Sequence, residues 1–321
     1  MGEKIGIAMI GCGQIAEAHL KAIQAIDGAW LVWCIDVVEA QAQSAAERYG
    51  GAHWGTDYDA ALTDDAVDAV VLCLPHDLHL SFSVRASEAG KHVLVEKPMA
   101  LNEAEALEMV RAADRAGKQL SVGQSTRFMP TFQEAKRVMG SGRIGRVLNV
   151  IHQRLFLVEK VSTDWRRSMD ACGGLYLPLF GSHDVDAILW LLNDQPSYVW
   201  GSVRACGKAS GGDSDGVVGL GFLDGKVASL AFSVQSKRVR TETVFVGEEA
   251  TLTIRRDKLL LDDEVLEITD SEKPFVLQLR QFVDALLAGK PTPTQGTEVL
   301  RVMRTLDLVK QASENGTQMV F

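Results

Sequence analysis

The sequence predicts an α/β fold in two parts: a doubly wound parallel sheet, followed by an antiparallel or mixed sheet that carries its own helices. Three observations support this prediction. Short apolar runs alternate with helix-compatible stretches over the first 125 residues, consecutive strands fill residues 198–255, and two helical stretches close the chain. At about 150 residues per domain, the 321 residues correspond to roughly two domains. We therefore expect domains at residues 1–125 and 126–321.

The first domain contains candidate strands that are apolar at successive positions, as expected for parallel strands covered on both faces. They span residues 5–10, 31–35, 69–74, 92–95 and 119–122. Helix-compatible stretches lie between them, at 14–26, 39–49 and 102–116. Asn102 and Glu105 resemble a capping box at the start of the third helix, and Gly117 favours its end. Repeated strand–helix–strand units of this kind predict a doubly wound sheet.

The second half has a strand-rich pattern. Asp224-Gly225, a dipeptide typical of a tight hairpin turn, separates two apolar runs at 217–223 and 226–234. Further strands are expected around Gly247, at 241–246 and 250–254. Two closing helices are expected at 273–287 and 298–313.

The charge balance excludes whole classes of partner. Lys and Arg number 33 against 42 Asp and Glu, a formal net charge of −9. Nucleic acids and anionic membranes both require a basic face, so we expect neither as a partner. A local phosphate site is still compatible with this charge, because a helix N-terminus binds anions by itself.

The cysteines indicate a reducing compartment. All five are widely spaced, with no CxxC pair, so neither a disulfide framework nor a structural zinc site is expected. They are Cys12, Cys34, Cys73, Cys172 and Cys206. No apolar run reaches the length of a membrane span, and the uncharged run at 5–16 has three glycines and one preceding lysine, unlike a signal peptide. We expect a cytoplasmic protein.

A dinucleotide-binding fingerprint, G-x-G-x-x-A, follows the first strand at Gly11 to Ala16 and opens the first helix. Gly11 permits the tight turn, Gly13 lets the backbone approach a pyrophosphate, and Ala16 allows close packing of helix and sheet. The N–H groups from Gly13 onward, including those of Gln14 and Ile15, would receive the phosphates. This context predicts a Rossmann domain.

Asp36 ends the second strand, where a carboxylate accepts hydrogen bonds from an adenosine ribose and repels a 2′-phosphate. Val37, Val38 and Glu39 follow it, so no basic side chain is placed to hold that phosphate. The sequence favours NAD over NADP.

Glu96-Lys97-Pro98 follows a buried strand at the carboxyl edge of the predicted sheet, where open α/β sheets place their ligands. A lysine there can hydrogen-bond a reacting hydroxyl and lower its pKa. The alternative, a solvated ion pair between Glu96 and Lys97, fits the position less well because the preceding strand is apolar.

Taken together, the chain resembles the glucose–fructose oxidoreductase, inositol dehydrogenase and rhizopine-catabolism (Gfo/Idh/MocA) family over nearly its full length. Beyond the fingerprint and Glu96-Lys97-Pro98, the resemblance rests on several further motifs. They are Leu74-Pro75-His76 with His79, Trp165-Arg166, Gly173-Gly174, Gly181-Ser182-His183 with Asp186, and the stretch 293–313.

The resemblance implies an N-terminal Rossmann domain and a C-terminal α+β domain with a large open, mainly antiparallel sheet. That sheet often forms an oligomer interface, which implies a homodimer or homotetramer. It also implies NAD(P)-dependent oxidation or reduction of a hydroxyl or carbonyl on a sugar, polyol or related small molecule.

By position in the motifs, the resemblance assigns Lys97 and His183 as the catalytic pair, with His183 as general acid/base. A histidine suits this role because its unperturbed pKa lies near neutrality. The cofactor would contact Glu96 and Lys97, with Leu74, Pro75, His76 and His79 on the nicotinamide side. The substrate would contact Arg127, Trp165, Arg166, Tyr176 and His183. Cys73, His76 and His79 also have a metal-like spacing, but no fourth ligand is evident and no metal is expected.

The chain departs from the family pattern at Leu179. Relatives commonly carry an aspartate four residues before the histidine, and Leu179 can neither share a proton nor stabilise an imidazolium. Either Lys97 and His183 suffice, or another group such as Tyr176 takes a share, or the chemistry differs. Two other functions therefore stay open: an NAD-retaining lyase or glycosidase, and a non-catalytic NAD-dependent sensor.

Overall fold

The structure is a computed structural model that describes residues 4–206, 211–268 and 272–321. The chain forms two compact units. The first comprises residues 1–125 and 272–300, and the second comprises residues 126–271 and 301–321. Residues 272–300, which the expected division placed in the second domain, thus pack with the first unit. No helix in the described ranges is long and apolar enough to cross a membrane.

The strands, in chain order, are β1 (Ile5–Ile10), β2 (Ala29–Ile35), β3 (His53–Gly55), β4 (Ala69–Leu72), β5 (His92–Val95), β6 (Leu120–Val122), β7 (Val147–Leu157), β8 (Tyr198–Arg204), β9 (Asp215–Gly221), β10 (Val227–Ser233), β11 (Gln235–Gly247), β12 (Thr251–Arg255), β13 (Lys258–Leu261), β14 (Glu264–Val265) and β15 (Met319–Val320).

The helices are α1 (Ala16–Ala25), α2 (Glu39–Tyr49), α3 (Tyr58–Thr63), α4 (His79–Glu88), α5 (Glu103–Ala116), α6 (Pro130–Gly140), α7 (Met169–Cys172), α8 (Ser182–Leu192), α9 (Pro274–Leu287) and α10 (Gly296–Asn315). A single π-helical turn, Leu177–Gly181, leads into α8.

The first unit contains a parallel sheet with the strand order β3-β2-β1-β4-β5-β6 among the described residues. This order reverses direction between β1 and β4, and ligands of doubly wound sheets bind at that point, beyond the carboxyl ends of the strands. The predicted doubly wound parallel sheet is confirmed. The short strand β3 is additional to the predicted ones.

The caps of α5 form as predicted. Oδ1 of Asn102 accepts the N–H of Glu105 at 2.9 Å, and Oε2 of Glu105 accepts the N–H of Leu101 at 3.1 Å. Gly117 adopts a left-handed conformation and ends the helix. These contacts satisfy backbone groups that a helix leaves unpaired at its ends.

The helix α9 completes the core of the first unit, although it lies about 150 residues downstream of β6 in the sequence. Its buried residues Leu279, Phe282 and Val283 join the apolar cluster formed by β1 and α1, which includes Ile7 and Leu20. Burial of this kind contributes about 25 cal/mol per Å² of apolar surface, so the helix is an integral part of the unit.

The second unit contains a mixed, mostly antiparallel sheet with the order β14-β13-β12-β11-β7-β10-β9-β8-β15 in the described part of the chain. Only β7 and β10, among these pairs, run parallel. The expected α+β domain with a large, mainly antiparallel sheet is confirmed. The hairpin at Asp224-Gly225 joins β9 to β10, with Gly225 at a φ of +87°.

One face of this second sheet exposes apolar side chains. Trp200, on β8, lies opposite Gly219, on β9, and its indole occupies the space that a side chain at position 219 would need. Ile151 on β7 and Val227 on β10 are also about half exposed, at 46% and 43%. Glycine at position 219 therefore leaves room for the indole of Trp200.

Candidate functional site

The glycine loop lies at the carboxyl end of β1, as the fingerprint predicts. Gly11 has a φ of +85°, and a Cβ there would lie 2.4 Å from the carbonyl oxygen of Cys73. This position therefore requires glycine both for its backbone conformation and for the close approach of the loop after β4. Gly13 differs, because a Cβ there would meet no atom within 4 Å.

The loop and α1 fit a pyrophosphate. No side chain caps the N-terminus of α1, and Ile15 at its first turn is 38% exposed. The open space beside Gly13 lies next to the backbone N–H groups at the N-terminus of α1, and a helix N-terminus attracts an anion. We refer to Gly11, Gly13, Gln14 and Ile15 as the phosphate cradle, because their arrangement fits the predicted contact with a pyrophosphate, which stays a prediction.

Asp36 has a second role that the sequence did not indicate. Its Oδ2 accepts the N–H of Cys12 at 2.8 Å, and its Oδ1 accepts the N–H of Val38 at 2.8 Å. The carboxylate therefore ties the glycine loop to the loop after β2. An ionised carboxylate has about four acceptor sites, so it can still accept bonds from a ribose.

The loops after β4 and β5 are joined by a buried histidine. Nδ1 of His79 lies 2.9 Å from the carbonyl oxygen of Pro98, and Nε2 lies 3.1 Å from that of Leu74. Burial lowers the pKa of His79, although both carbonyl contacts oppose this shift. His79 is fully buried, so it holds the two loops in position rather than presenting its ring at the surface.

The remaining predicted residues of these loops are placed around that histidine. His76 is buried, with its ring centroid 5.7 Å from that of His79. Leu74 and Pro75 are half-buried. The Lys97–Pro98 peptide bond is cis, which sets the direction of the chain immediately after the predicted catalytic lysine.

Glu96 contacts a residue that sequence reasoning missed. Nε2 of His19, on α1, lies 2.7 Å from Oε1 of Glu96, and His19 is completely buried. The other oxygen of Glu96 accepts the N–H of Lys97 at 3.2 Å. A Cβ at Gly123 would lie 2.8 Å from Oε1, so glycine at that position leaves room for the pair. The available signal was the placement of His19 one turn after Ala16.

In the second unit, His183 lies in the first turn of α8 and is partly exposed. Its Nδ1 is 3.3 Å from the hydroxyl oxygen of Thr126, which can either donate or accept. A hydroxyl on one ring nitrogen orients the imidazole, and this arrangement suits a general acid/base.

Tyr176 is directed away from solvent. It is 1% exposed, its ring stacks on Phe232 at 3.7 Å, and its hydroxyl donates to Oδ2 of Asp184 at 2.5 Å. Burial, with Asp184 adding to the effect, raises the pKa of Tyr176 well above its usual value. A contact between Tyr176 and a substrate stays a prediction that this placement does not support.

Asp184 is the centre of a buried polar network. Burial alone would raise the pKa of its carboxyl, but Arg154, together with His152 and Tyr176, lowers the pKa below its usual value. Nη2 of Arg154 donates to Oδ1 at 2.5 Å, and Nε2 of His152 lies 3.3 Å from Oδ2. The carboxylate of Asp184, the residue that follows His183 in the chain, is thus held in its ionised form.

Arg127 is also buried, in contrast to the expected substrate contact. Its Nε and Nη2 donate to the two carboxylate oxygens of Asp186, at 2.8 and 2.6 Å, and it is 2% exposed. A bidentate pair of this kind fixes both side chains. The pair anchors α8 to the segment before α6, and a substrate role for Arg127 stays a prediction without support from its burial.

Trp165 and Arg166 lie together in a short turn, Asp164–Arg167, where both are half-buried. The guanidinium carbon of Arg166 is 5.0 Å from the centroid of the Trp165 ring, within the range of a cation–π contact. Burial lowers the pKa of Arg166. This geometry is compatible with the predicted substrate contact and does not test it.

Leu179 lies within the π-helical turn and is 8% exposed. The turn is held from outside by Asp213, which accepts the N–H groups of Leu175 and Leu177 at 2.7 and 2.5 Å. Single π turns occur frequently at functional sites, because they displace neighbouring side chains from regular helical positions. The residue at the usual aspartate position is therefore an apolar one in a nearly closed environment.

Comparisons with known proteins agree with both units. The family model described as "Oxidoreductase family, NAD-binding Rossmann fold" matches residues 5–124, and the model of the GFO/IDH/MocA C-terminal domain matches residues 132–253.

Two of the similar proteins are dehydrogenases by name. The chain is 27% identical to 4-carboxy-2-hydroxymuconate-6-semialdehyde dehydrogenase from Sphingobium sp., over 97% of this chain and 99% of the relative. It is 33% identical to inositol 2-dehydrogenase 2 from Saccharopolyspora erythraea, over 60% of this chain and 55% of the relative. Among solved structures, GenD2 from gentamicin A biosynthesis in complex with NAD is 26% identical, with a TM-score of 0.89 over 100% of this chain and 97% of GenD2.

Proposed function

Because the chain belongs to the GFO/IDH/MocA family of oxidoreductases with an NAD-binding Rossmann fold, we propose that it oxidises or reduces a sugar, polyol or related small molecule. The reacting group is a hydroxyl or carbonyl carbon. The bound cofactor would accept the hydride as NAD+ in the oxidation and would supply it as NADH in the reduction. Inositol 2-dehydrogenase 2 among the similar proteins supports this substrate class.

The observation that carries the proposal is the carboxyl edge of the parallel sheet. There the phosphate cradle, Asp36 and Lys97 follow β1, β2 and β5, the strands around the point where the order reverses. The N-terminus of α1, which no side chain caps, and the open space beside Gly13 fit a pyrophosphate. Asp36 favours NAD over NADP because its carboxylate repels a 2′-phosphate.

We assign proton transfer to Lys97 and His183. Lys97 hydrogen-bonds the reacting hydroxyl and stabilises its deprotonated form, and His183 acts as general acid/base, with Thr126 orienting its ring. Leu179 stands at the position where relatives commonly carry an aspartate, so this third group for proton transfer is missing. The proposal therefore rests on Lys97 and His183 alone. Glu96 contributes by accepting the backbone N–H of Lys97.

The protein is further proposed to be a cytoplasmic homodimer or homotetramer. Support for assembly comes from the apolar side chains that one face of the second sheet exposes around Trp200 and Ile151. Exposed apolar patches of this kind often bind another protein surface. Support for a reducing compartment comes from the cysteines, which are widely spaced in the sequence and include no CxxC pair.

The test is an absorbance assay for reduced nicotinamide across a panel of polyols, sugars and keto-sugars, with NAD and with NADP. Wild type is expected to turn over at least one compound with NAD, and Lys97→Ala is expected to abolish the activity. Lys237→Ala, at an exposed lysine of the second unit, is the matched control and should keep it.

Two results would contradict the proposal. Tight NAD binding without turnover of any compound would indicate a sensor instead. Turnover without net NADH, together with exchange of a substrate C–H hydrogen for deuterium from the solvent, would indicate an NAD-retaining lyase or glycosidase.

Leu179→Asp tests the missing carboxylate, since added activity in that variant would show that Leu179 limits catalysis.

A further inference from the structure

A cavity of about 440 Å³ lies within the second unit, between the helices α6 and α8 and the strands β7, β11 and β12. Its volume lies within the range of about 300–1,000 Å³ that is typical of small-molecule sites. Every residue of its lining belongs to the second unit. His183 forms part of the wall, so the proposed acid/base of the reaction faces this space.

Most of the cavity wall is apolar. Side chains from α6, α8 and the two strands β11 and β12 contribute aliphatic and aromatic surface. They are Met129, Phe132, Ile188, Leu191, Phe245 and Ile254. A ligand group buried against this wall gains free energy only if it is itself apolar, because a hydroxyl placed there would lose its bonds to water.

The polar groups at the base of the cavity are largely engaged with one another. Nδ1 of His152 lies 2.8 Å from the hydroxyl oxygen of Thr243, and Arg154 pairs with Asp184 at 2.5 Å. In the described part of the chain, Nε of Arg154 is a buried donor without a hydrogen-bond partner, and Nε2 of His152 has only the 3.3 Å contact with Asp184. Thr241, Arg256 and Asp257 also belong to the lining, and the last two are exposed. Hydroxyl groups of a ligand can therefore be bonded at the base and at these residues, but not along the apolar wall.

We propose that this cavity is a subsite for a hydroxyl-poor part of the substrate, such as a deoxygenated ring, an alkyl group or an aryl group. The reacting hydroxyl or carbonyl lies at His183, and the hydroxyl-poor part packs against the apolar wall. At the base, Nε of Arg154 and Nε2 of His152 can each bond one polar atom of the ligand. The inference rests on the proposed function and narrows it, because a ring hydroxylated on every carbon would direct some of its hydroxyls at the apolar wall, where they find no hydrogen-bond partner.

The test compares six-membered rings that differ in hydroxyl number. Cyclohexanol, cis-1,2-cyclohexanediol and myo-inositol are titrated calorimetrically into the full chain loaded with NADH, which cannot accept a hydride from an alcohol. Cyclohexanol is expected to bind at least about tenfold more tightly than myo-inositol, as differences in apolar contact of this size discriminate ligands. Binding is measured without turnover, so the result does not depend on the proposed activity.

A substitution in the cavity wall tests whether the ring compounds bind in this cavity. Ala187, on α8, lines the cavity and is 6% exposed, so Ala187→Leu fills part of the space. It is expected to lower the affinity for cyclohexanol by at least about tenfold, whereas Ala187→Ser, of similar volume, keeps the wild-type preference among the rings. If Ala187→Leu does not fold, Thr241→Leu blocks the same space from β11.

Three results would overturn the inference. They are binding of myo-inositol as tight as that of cyclohexanol, undetectable binding of cyclohexanol, and binding of cyclohexanol that both filling variants leave unchanged. Failure of the proposed function is a separate result, since it would show as absence of Lys97-dependent nicotinamide turnover even where the rings bind as expected.

Discussion

Nε2 of His19 lies 2.7 Å from Oε1 of Glu96, and this contact joins the helix after the glycine loop to the residue before Lys97. His19 is completely buried and Glu96 nearly so. The contact therefore links the phosphate cradle and the predicted catalytic lysine through two side chains. A change on one side of the pair is expected to affect the other.

The His19–Glu96 pair should show strong thermodynamic coupling. His19→Leu leaves the Glu96 carboxylate buried without this partner, so we expect the free energy of unfolding to fall by about 1–3 kcal/mol. Glu96→Leu should cost a similar amount, and the double variant less than the sum. Urea unfolding of the four proteins measures a coupling of about 0.5–3 kcal/mol. Strict additivity would show that the two side chains act independently.

The two glycines of the fingerprint should respond differently to the same substitution. Gly11→Ala places a Cβ against the Cys73 carbonyl at a positive φ, so we expect a loss of about 1–3 kcal/mol in the free energy of unfolding. Gly13→Ala enters open space, and we expect stability to stay within about 0.5 kcal/mol of wild type. Its NAD affinity should nevertheless fall about tenfold, equivalent to about 1.4 kcal/mol.

Urea unfolding without cofactor and NAD titration by fluorescence separate these two effects. Equal loss of stability in both variants would contradict the assignment of the space beside Gly13 to a ligand.

Asp36→Asn should change the choice of cofactor. A hydrogen bond to a charged group contributes about 1.5–3 kcal/mol, so we expect NAD affinity to fall about tenfold. The affinity for NADP should fall less or rise, because the charge that repels the 2′-phosphate is removed. Glu39→Gln, at an exposed acidic residue in the first turn of α2, is the control. An unchanged ratio of the two dissociation constants would exclude Asp36 from the ribose site.

The Arg154–Asp184 pair should give the second unit a pH-dependent stability. The folded-state pKa of Asp184 is lowered, so its stabilising contribution is present above its unfolded pKa of about 4 and is lost as the pH falls through the folded value. Arg154→Met removes the main compensating charge, and we expect a loss of about 3 kcal/mol near pH 7.

Urea unfolding of wild type and Arg154→Met from pH 7 down to pH 2 measures this dependence. The difference between the two proteins should be constant above about pH 5 and should shrink below about pH 4. A difference independent of pH would mean that Arg154 acts by packing alone. Arg255→Met, at an exposed arginine paired with Glu242, is a control that should show a much smaller difference.

Sequence patterns predicted those elements whose signals are local. The runs at 5–10 and 92–95 are apolar and continuous, and the observed strands β1 and β5 have the same bounds. The capping residue Asn102 and the stop at Gly117 defined α5 in the same way. By contrast, β3 has three residues, two of them exposed, and joins the sheet through β2, so its own sequence carries little signal.

The site could be predicted only where chain position determines geometry. Gly11, Asp36 and Lys97 follow strands, and parallel strands bring their ends to one edge. The burial of Arg127 and Tyr176 depends on Asp186 and Asp184, which are partners chosen by tertiary packing. A sequence motif names such residues without stating whether they face a ligand or another side chain. The contact of His19 with Glu96 spans 77 residues and has the same origin.

The packing of α9 on α1 and β1 has a consequence for synthesis on the ribosome. The parallel sheet is translated first, but its core includes Leu279, Phe282 and Val283, which emerge only after the whole strand-rich part of the second unit. A nascent chain that ends at residue 125 therefore exposes the apolar surface that α9 later covers, and such surface is prone to aggregation. The first unit thus begins to form early in translation, but its core is complete only after α9 has been made. A chaperone that protects this surface during translation should therefore raise the yield of folded protein.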